Sequence, residues 1–126
     1  MTATPEAIQT AVHAYVAAYR ANDRAACLSL YADDCDWTDP VGTPTHHGQA
    51  GVGEFWDTAR TMAESIILEH KSTTICGNEA AVCIEIHVVI GGATMIMDAI
   101  DIFEFDDNAK IKSGKAYWDM AKARTS

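Results

Sequence analysis

The spacing of apolar residues changes near residue 65, and this change constrains the fold more than any other feature. Up to about Glu64 the apolar residues follow helical spacing, whereas from Ser65 to about Trp118 they alternate and are rich in Ile, Val and Thr. Helices followed by consecutive strands predict an α+β fold, not a parallel α/β one. Because the 126 residues contain no linker-like stretch, we expect a single domain over residues 1–126.

Three helices are predicted in the first half. The first begins at Pro5 with Thr4 as its cap, the second runs from Arg24 to Tyr31, and the third begins after Gly48. The first presents an apolar stripe of Ile8, Val12, Tyr15, Val16 and Tyr19. The third presents Val52, Phe55, Trp56, Ala59 and Met62 on one side. These stripes predict helices that pack against a sheet.

The strands are predicted from alternation and turn residues. A short extended segment, Cys35–Pro40, lies between the second and third helices. Four later strands follow with turn signals between them: Ser65–Cys76, Ala80–Ile90, Ala93–Phe105 and Lys110–Trp118. Consecutive strands with short turns predict an antiparallel meander. Since a sheet of this length curls, helices on its concave side would leave a pocket between the layers.

The charge balance argues against several classes of partner. Nine Lys and Arg residues against eighteen Asp and Glu residues give a formal net charge of −9, which disfavours nucleic acid and anionic membrane surfaces. No apolar run approaches the roughly 18 residues of a membrane helix, and no signal-peptide pattern opens the chain. We therefore expect a soluble, cytoplasmic protein without nucleic-acid or membrane partners.

Neither a disulfide nor a metal site is predicted. The cysteines stand singly and are expected to be buried apolar thiols in a reducing compartment. They are Cys27, Cys35, Cys76 and Cys83. His46 and His47 are adjacent, with no third ligand at a suitable spacing, so they do not predict a metal centre.

Asp101 lies on the apolar face of the predicted strand Ala93–Phe105, whereas Asp98 shares a mixed face. A carboxylate on an apolar face must be neutral, paired or functional. Desolvation disfavours the charged form, so Asp101 can be protonated at neutral pH and donate a hydrogen bond. The alternatives are an aspartate bonded to a backbone amide and a bulge that turns it outward.

Asp39 is the second candidate, on the face of Cys35 and Trp37 and at the end of its strand, next to Pro40. This position predicts partial solvation and a modest upward shift of its pKa, which suits a general base. The alternative is an Asx turn with the following loop.

Tyr15 lies in the stripe of the first helix, and a buried tyrosine needs a partner for its hydroxyl. If that helix covers the concave face of the sheet, Tyr15 and Asp101 can both donate to one oxygen. The alternative is an ordinary core tyrosine.

Several motifs resemble the bacterial Δ5-3-ketosteroid isomerases, within the SnoaL/nuclear-transport-factor-like cone-fold superfamily. The resemblance covers nearly the whole chain. Besides Tyr15, Asp39 and Asp101, it includes Tyr31-Ala32-Asp33-Asp34, Asp39-Pro40-Val41-Gly42, His47-Gly48, Phe55, Asp98-x-Ile100-Asp101 and Ala116-Tyr117-Trp118. Several of these elements recur in polyketide cyclases, dehydratases and epoxide hydrolases of the wider superfamily. The combination of Tyr15, Asp39 and Asp101 is more specific.

The resemblance implies a cone-shaped α+β barrel, in which a curved antiparallel sheet wraps three N-terminal helices, and a homodimer. It also implies a steroid Δ-isomerase of steroid and lipid metabolism, without cofactor or metal. Asp39 would carry the C4 proton to C6, while Tyr15 and neutral Asp101 form an oxyanion hole. A protonated aspartate donor is an established feature of that family. The strand alternation adds that Asp101, and not Asp98, lies on the apolar face and is therefore the candidate for this donor.

The side chains expected to contact the apolar steroid are Trp118, Trp56, Phe55, Tyr31, Met95 and Met97. Trp56 stands where some members of the family have a tyrosine, and its indole can donate but not accept a hydrogen bond. The network around Tyr15 is therefore shortened. Two alternative functions stay open: a dehydratase or cyclase acting on another apolar ketone, and a non-catalytic dimeric module that binds small molecules.

Overall fold

Helices occupy the first half of the chain and strands most of the second, as the spacing predicts. The computed structural model describes residues 2–125. Its helices are α1 (Pro5–Arg20), α2 (Arg24–Leu28) and α3 (Gly48–Met62). Its strands are β1 (Tyr31–Thr38), β2 (His46–His47), β3 (Ser65–Cys76), β4 (Glu79–Ile90), β5 (Ala93–Phe105), β6 (Ile111–Trp118) and β7 (Arg124–Thr125). Within residues 2–125, no helix combines the length and the hydropathy needed to cross a membrane.

The strands form one mixed sheet in the order β2-β1-β6-β5-β4-β3, with β7 paired to β5. Strands β3 to β6 are the predicted antiparallel meander. Strand β1 instead runs parallel to β6, and within residues 2–125 the outermost strands β2 and β3 do not pair with each other. The α+β fold with three helices and a curved sheet is thus confirmed. The expected antiparallel barrel is corrected in two respects: β1 runs parallel to β6, and the described strands leave the sheet unclosed between β2 and β3.

Helix α2 is shorter than predicted, because Tyr31 belongs to β1 and not to the helix. The helix ends at Leu28, and Tyr31 pairs with Ile111 of β6. The Tyr31 side chain is buried, with its ring centroid 6.2 Å from that of Trp37. Pairing with a strand distant in sequence therefore overrides the local helical pattern.

The core lies between α1 and the inner face of the sheet, and Trp37 occupies its centre. The Trp37 indole stacks on Phe103 at a centroid distance of 5.9 Å. Its ring fills the space over Gly114 of β6, where an added Cβ would lie 2.6 Å from Trp37 Cε3. Residue 114 must therefore be glycine for β1 to lie beside β6 with Trp37 turned inward.

The cysteines are only partly as expected. Cys27 and Cys35 are buried, Cys83 is half-buried and all four thiols are free. Cys76 is exposed, which corrects the prediction that it is buried. The reason is its place as the last residue of β3, on the solvent side of the Gly77 turn.

Candidate active site

A cavity of about 480 Å³ lies between the helices and the inner face of the sheet. Such a volume is typical of sites for small organic ligands. Helices α1 and α3 and strands β3, β4 and β5 supply most of its wall, which is largely apolar. Four of the polar side chains in this wall are Tyr15, Tyr19, Asp39 and Asp101. The pocket expected between the layers is therefore present, and it contains the predicted base and donors.

Asp101 lies on the inner face of β5, between Val82 of β4 and Ala116 of β6. It is 2% exposed, and its Oδ1 has no hydrogen-bond partner among residues 2–125. Burial raises the pKa of Asp101 well above its usual range, the nearby charge of Asp39 raises it further, and a hydrogen bond from Tyr15 partly opposes the rise. The structure thus favours a neutral carboxyl group that can donate a hydrogen bond into the cavity.

Asp39 follows the last residue of β1 and is largely enclosed. Burial raises its pKa to about 6, against a hydrogen bond from Trp118 that lowers it. In that bond the indole Nε1 donates to Asp39 Oδ1 over 2.7 Å. The Asp39 side chain is half-buried and contributes to the wall of the cavity. At pH 7 most of the Asp39 population is ionised and can accept a proton.

Tyr15 projects from the middle of α1 and is 3% exposed. Its ring meets Phe103 edge-on at a centroid distance of 5.1 Å, so the core fixes its orientation. Burial is the main reason that the pKa of Tyr15 lies well above 10. The phenol therefore stays protonated and remains a donor. Tyr15 and Asp101 are thus neighbouring neutral donors in one apolar wall.

The apolar side chains expected to contact a ligand divide into two groups. Phe55, Met95, Met97 and Trp118 line the cavity. Tyr31 and Trp56 are buried and are not among the side chains that line the cavity. Tyr31 packs on Trp37, and Trp56 packs on Tyr19 at a centroid distance of 4.8 Å. Both support the wall and do not form its surface.

Sequence reasoning missed several cavity residues. Tyr19 lies one helical turn after Tyr15 and also faces the cavity. Strand β4 contributes Ile84, Ile86 and Val88, which lie opposite Ala99, Met97 and Met95 of β5. These residues could have been predicted from the alternation of β4, because the even-numbered positions of that strand are apolar. The stripe of α1 carried the signal for Tyr19.

Within the described part of the chain, the side chains that line the cavity do not form a group of metal ligands. Among residues 2–125, Glu69, Glu85 and His87 bring ligand atoms within 4.8 Å of one another, but they lie on the outer face of the sheet. Glu85 there pairs with Arg124 at 2.9 Å and with Lys71 at 3.8 Å, so cationic side chains already neutralise the cluster. Between the paired strands β1 and β2, His47 Nδ1 contacts Asp36 Oδ1 at 2.6 Å.

The cavity therefore combines one carboxylate that can act as a base, Asp39, with neutral donors that include Tyr15 and Asp101, in an apolar enclosure. A base of this kind can abstract a proton next to a carbonyl group. Neutral donors fixed in a water-poor site stabilise the negative charge that then develops on the carbonyl oxygen. The arrangement suits proton transfer within an apolar carbonyl compound.

Comparison with known sequences identifies a family and a relative of this chain. A family model described as a SnoaL-like domain matches residues 12–113. A protein named steroid Delta-isomerase from Nocardioides simplex is 27% identical over 111 residues, which cover 88% of this chain and 89% of that protein.

Two solved structures share the fold. One is SalBIII, an epoxide hydrolase/cyclase-like enzyme described for its role in pyran ring formation in the polyether salinomycin. It has a TM-score of 0.88 and 20% identity, covering 96% of this chain and 97% of that one. The other is RV0760c from Mycobacterium tuberculosis, with a TM-score of 0.86 and 22% identity, covering 99% of this chain and all of that one. At these identities the likeness concerns the fold alone.

Proposed function

The chain belongs to the SnoaL-like domain family, and from this premise we propose that it is a 3-oxo-Δ5-steroid Δ-isomerase. The observation that carries the proposal is one apolar cavity that holds Asp39 with Tyr15 and Asp101. The similarity to a steroid Delta-isomerase over most of both chains supports the same conclusion. The product would be the conjugated 3-oxo-Δ4-steroid.

The Asp39 carboxylate removes a proton from C4 of the substrate, which lies between the ketone and the C5=C6 double bond. The electrons of the C–H bond form a C3=C4 double bond, and those of the carbonyl π bond move to the oxygen. The resulting dienolate takes the proton back from Asp39 at C6, which leaves a C4=C5 double bond and restores the ketone. The pKa of Asp39, about 6, suits both accepting and returning the proton near neutral pH.

The dienolate oxygen lies between the Tyr15 hydroxyl and the protonated Asp101 carboxyl in this proposal. Both donors are buried and held by the core, so they need little reorganisation when charge develops. One such donor typically contributes about 10²–10³ in rate. The apolar body of the steroid would lie against Phe55, Met95, Met97 and Trp118. No step requires a cofactor or a metal ion.

We further propose that the protein is a homodimer that pairs through the outer face of β5 and β6. Ile100 and Tyr117 lie opposite each other on this face and are 46% and 45% exposed. Val41, 45% exposed, follows β1, and its backbone N–H bonds to Ala116 of β6. Large apolar side chains that are exposed side by side on neighbouring strands are typical of a protein contact. Sedimentation velocity should show a dimer that Ile100→Lys dissociates, while a monomeric wild type would exclude this interface.

The function is tested by adding a 3-oxo-Δ5-steroid and following the absorbance of the conjugated enone. Wild type should accelerate the isomerisation, and Asp39→Asn should lower kcat by about 10²–10⁴. Asp34→Asn removes the same charge from an exposed position on β1 and is the matched control, with an unchanged rate expected. No acceleration by wild type would refute the proposed activity. An active Asp39→Asn variant would refute the assignment of the base.

A further inference from the structure

Arg60 of α3 lies behind the hydroxyl-bearing wall of the cavity, in an aromatic layer. Its Cζ is 3.6 Å from the ring centroid of Trp56 and 5.3 Å from that of Tyr19. Its Nε donates a hydrogen bond of 2.5 Å to Asn22 Oδ1, in the turn after α1. The guanidinium group is therefore fixed at both ends, by stacking and by a hydrogen bond.

Arg60 makes no direct ion pair among residues 2–125, and Asp57 stabilises its charge only at longer range. Arg24 pairs with Asp57 at 2.9 Å and Arg124 with Glu85 at 2.9 Å, but within residues 2–125 no carboxylate lies within 4.0 Å of the Arg60 guanidinium. Its Nη1 is buried and has no hydrogen-bond partner there. A half-buried cation without a direct ion pair is stabilised when nearby groups carry partial or developing negative charge.

Tyr19 connects this cation to the cavity. Its ring packs on that of Tyr15 at a centroid distance of 5.1 Å, and both side chains line the cavity. Tyr15 in turn lies beside Asp101. The groups thus follow one another towards the cavity in the order Arg60, Tyr19, Tyr15.

A cation over the face of a phenol attracts its electrons and stabilises negative charge on its oxygen. A hydroxyl group under this influence is a stronger hydrogen-bond donor, and against the buried rings of Trp56 and Tyr19 the charge of Arg60 is screened less than in bulk water. Arg60 can therefore strengthen the donors at the cavity wall without touching the ligand.

We propose that Arg60 is a positioning residue, whose fixed positive charge acts through Tyr19 on Tyr15 and strengthens the binding of an anionic enolate or phenolate oxygen in the cavity. The inference rests on the proposed function, since it assigns a role to the wall that would hold the dienolate. A purely structural role, in which Arg60 only ties α3 to the turn after α1, would affect stability but not the ionisation of a bound ligand.

The probe is 2-naphthol, a planar phenol whose absorbance distinguishes the neutral form from the naphtholate. With wild type, the bound form should be largely naphtholate at pH 8. Arg60→Met removes the charge and keeps the length of the side chain, so it should lower the ratio of bound naphtholate to bound naphthol about tenfold. Arg60→Lys retains the charge and should restore most of that ratio. In the steroid assay, Arg60→Met should lower kcat about tenfold with little change in KM.

Arg20→Gln is the matched control, because it removes an arginine charge from an exposed position at the end of α1. Its naphtholate ratio should equal that of wild type. Asn22→Gly is a second test in case Arg60→Met does not fold. The φ of Asn22 is +53°, a value that glycine adopts easily, so the variant removes only the acceptor that holds Arg60. It should lower the ratio in the same direction by a smaller factor.

The inference is overturned if Arg60→Met leaves the ratio of bound naphtholate to bound naphthol unchanged. If Arg60→Met does not fold, an unchanged ratio in Asn22→Gly overturns it. A wild type that binds 2-naphthol only in its neutral form would also overturn it. The two proposals fail separately. If wild type does not isomerise the steroid but Arg60→Met lowers the naphtholate ratio, only the proposed activity is wrong. If wild type isomerises the steroid and the ratio is unchanged, only the role of Arg60 is wrong.

Discussion

The indole N–H of Trp118 donates a hydrogen bond of 2.7 Å to Oδ1 of Asp39. The bond joins the end of β6 to the residue after β1, which lie side by side in the sheet. Burial raises the pKa of Asp39 to about 6, and this bond is the interaction that holds it down. The protonation of the proposed base therefore depends on a residue that is distant in sequence.

Trp118→Phe should move the acid limb of the pH–rate profile to higher pH. Without the indole donor, nothing offsets the effect of burial, so the pKa of Asp39 rises and a smaller fraction is ionised at a given pH. A hydrogen bond to a charged group contributes about 1.5–3 kcal/mol, so its loss raises the pKa of Asp39 by at least about one unit. The ionised fraction of Asp39, and with it the rate, should then be roughly tenfold lower at pH 6. The profile of kcat/KM against pH measures this. Tyr117→Phe, an exposed neighbour on the outer face, is the control and should keep the wild-type profile.

Asp101→Leu should lower kcat of the steroid reaction by about 10²–10³, because it removes one donor to the dienolate oxygen. The same change should raise the free energy of unfolding by about 1–3 kcal/mol at neutral pH, since a buried carboxyl oxygen without a partner is replaced by an apolar group. Urea denaturation gives the second quantity.

Two variants accompany Asp101→Leu. Asp101→Asn keeps an N–H donor at the same place and should retain more activity than the leucine variant. Asp98→Asn changes an exposed carboxylate of the same strand, near Arg124, and should leave the rate unaltered. A leucine variant as active as wild type would return Asp101 to a structural role.

The stability of the protein should depend on the ionisation of Asp39. Its pKa is about 6 in the folded state and close to 3.8 in the unfolded chain, so between these values the folded state binds the extra proton. The free energy of unfolding therefore falls as the pH rises from about 4 to about 6, by at most about 3 kcal/mol from this group, and this contribution is constant above that.

Asp39→Asn removes this titration. The difference in unfolding free energy between the variant and wild type should grow in favour of the variant from pH 4 to pH 6 and then level off. Urea denaturation at pH 4, 5, 6 and 7 measures it. A difference that does not vary with pH would contradict the raised pKa of Asp39.

Tyr15→Phe should weaken the binding of 2-naphthol by about 10–100-fold, because a hydrogen bond to a charged oxygen is lost. Isothermal titration calorimetry measures the affinity. Tyr31→Phe removes a hydroxyl group from a tyrosine that is equally buried but lies behind the wall, so it should bind with wild-type affinity. Equal losses in both variants would point to a general loosening of the core and not to a contact by Tyr15.

The sequence predicts most strands of the sheet because their alternation is a local property. Strand β3 runs from Ser65 to Cys76 and β5 from Ala93 to Phe105, both as expected. The early end of α2 could not be predicted, because Tyr31 is drawn into a parallel pair with Ile111, far along the chain. A helical pattern of a few residues carries no information about such a partner.

In the candidate site, too, local patterns could be predicted from the sequence, whereas packing between distant elements could not. The inward position of Asp101 follows from the pleat of one strand, and that of Tyr15 from the stripe of one helix. Whether a buried aromatic residue reaches the cavity surface depends on packing between elements. For this reason the sequence does not show that Trp56 and Tyr31 lie behind the cavity wall. It also does not single out Tyr19, which lines the cavity, or Arg60, which packs on Tyr19.

The parallel pairing of β1 with β6 also determines when the site can form as the protein folds. Asp39 and Trp118 are 79 positions apart, and the strands that carry them meet only after the whole meander between them is in place. Contacts between such distant segments close large loops, which makes them slow to form. On a ribosome the base would remain unsupported until β6 had emerged. The competence to transfer a proton is therefore acquired among the last steps of folding.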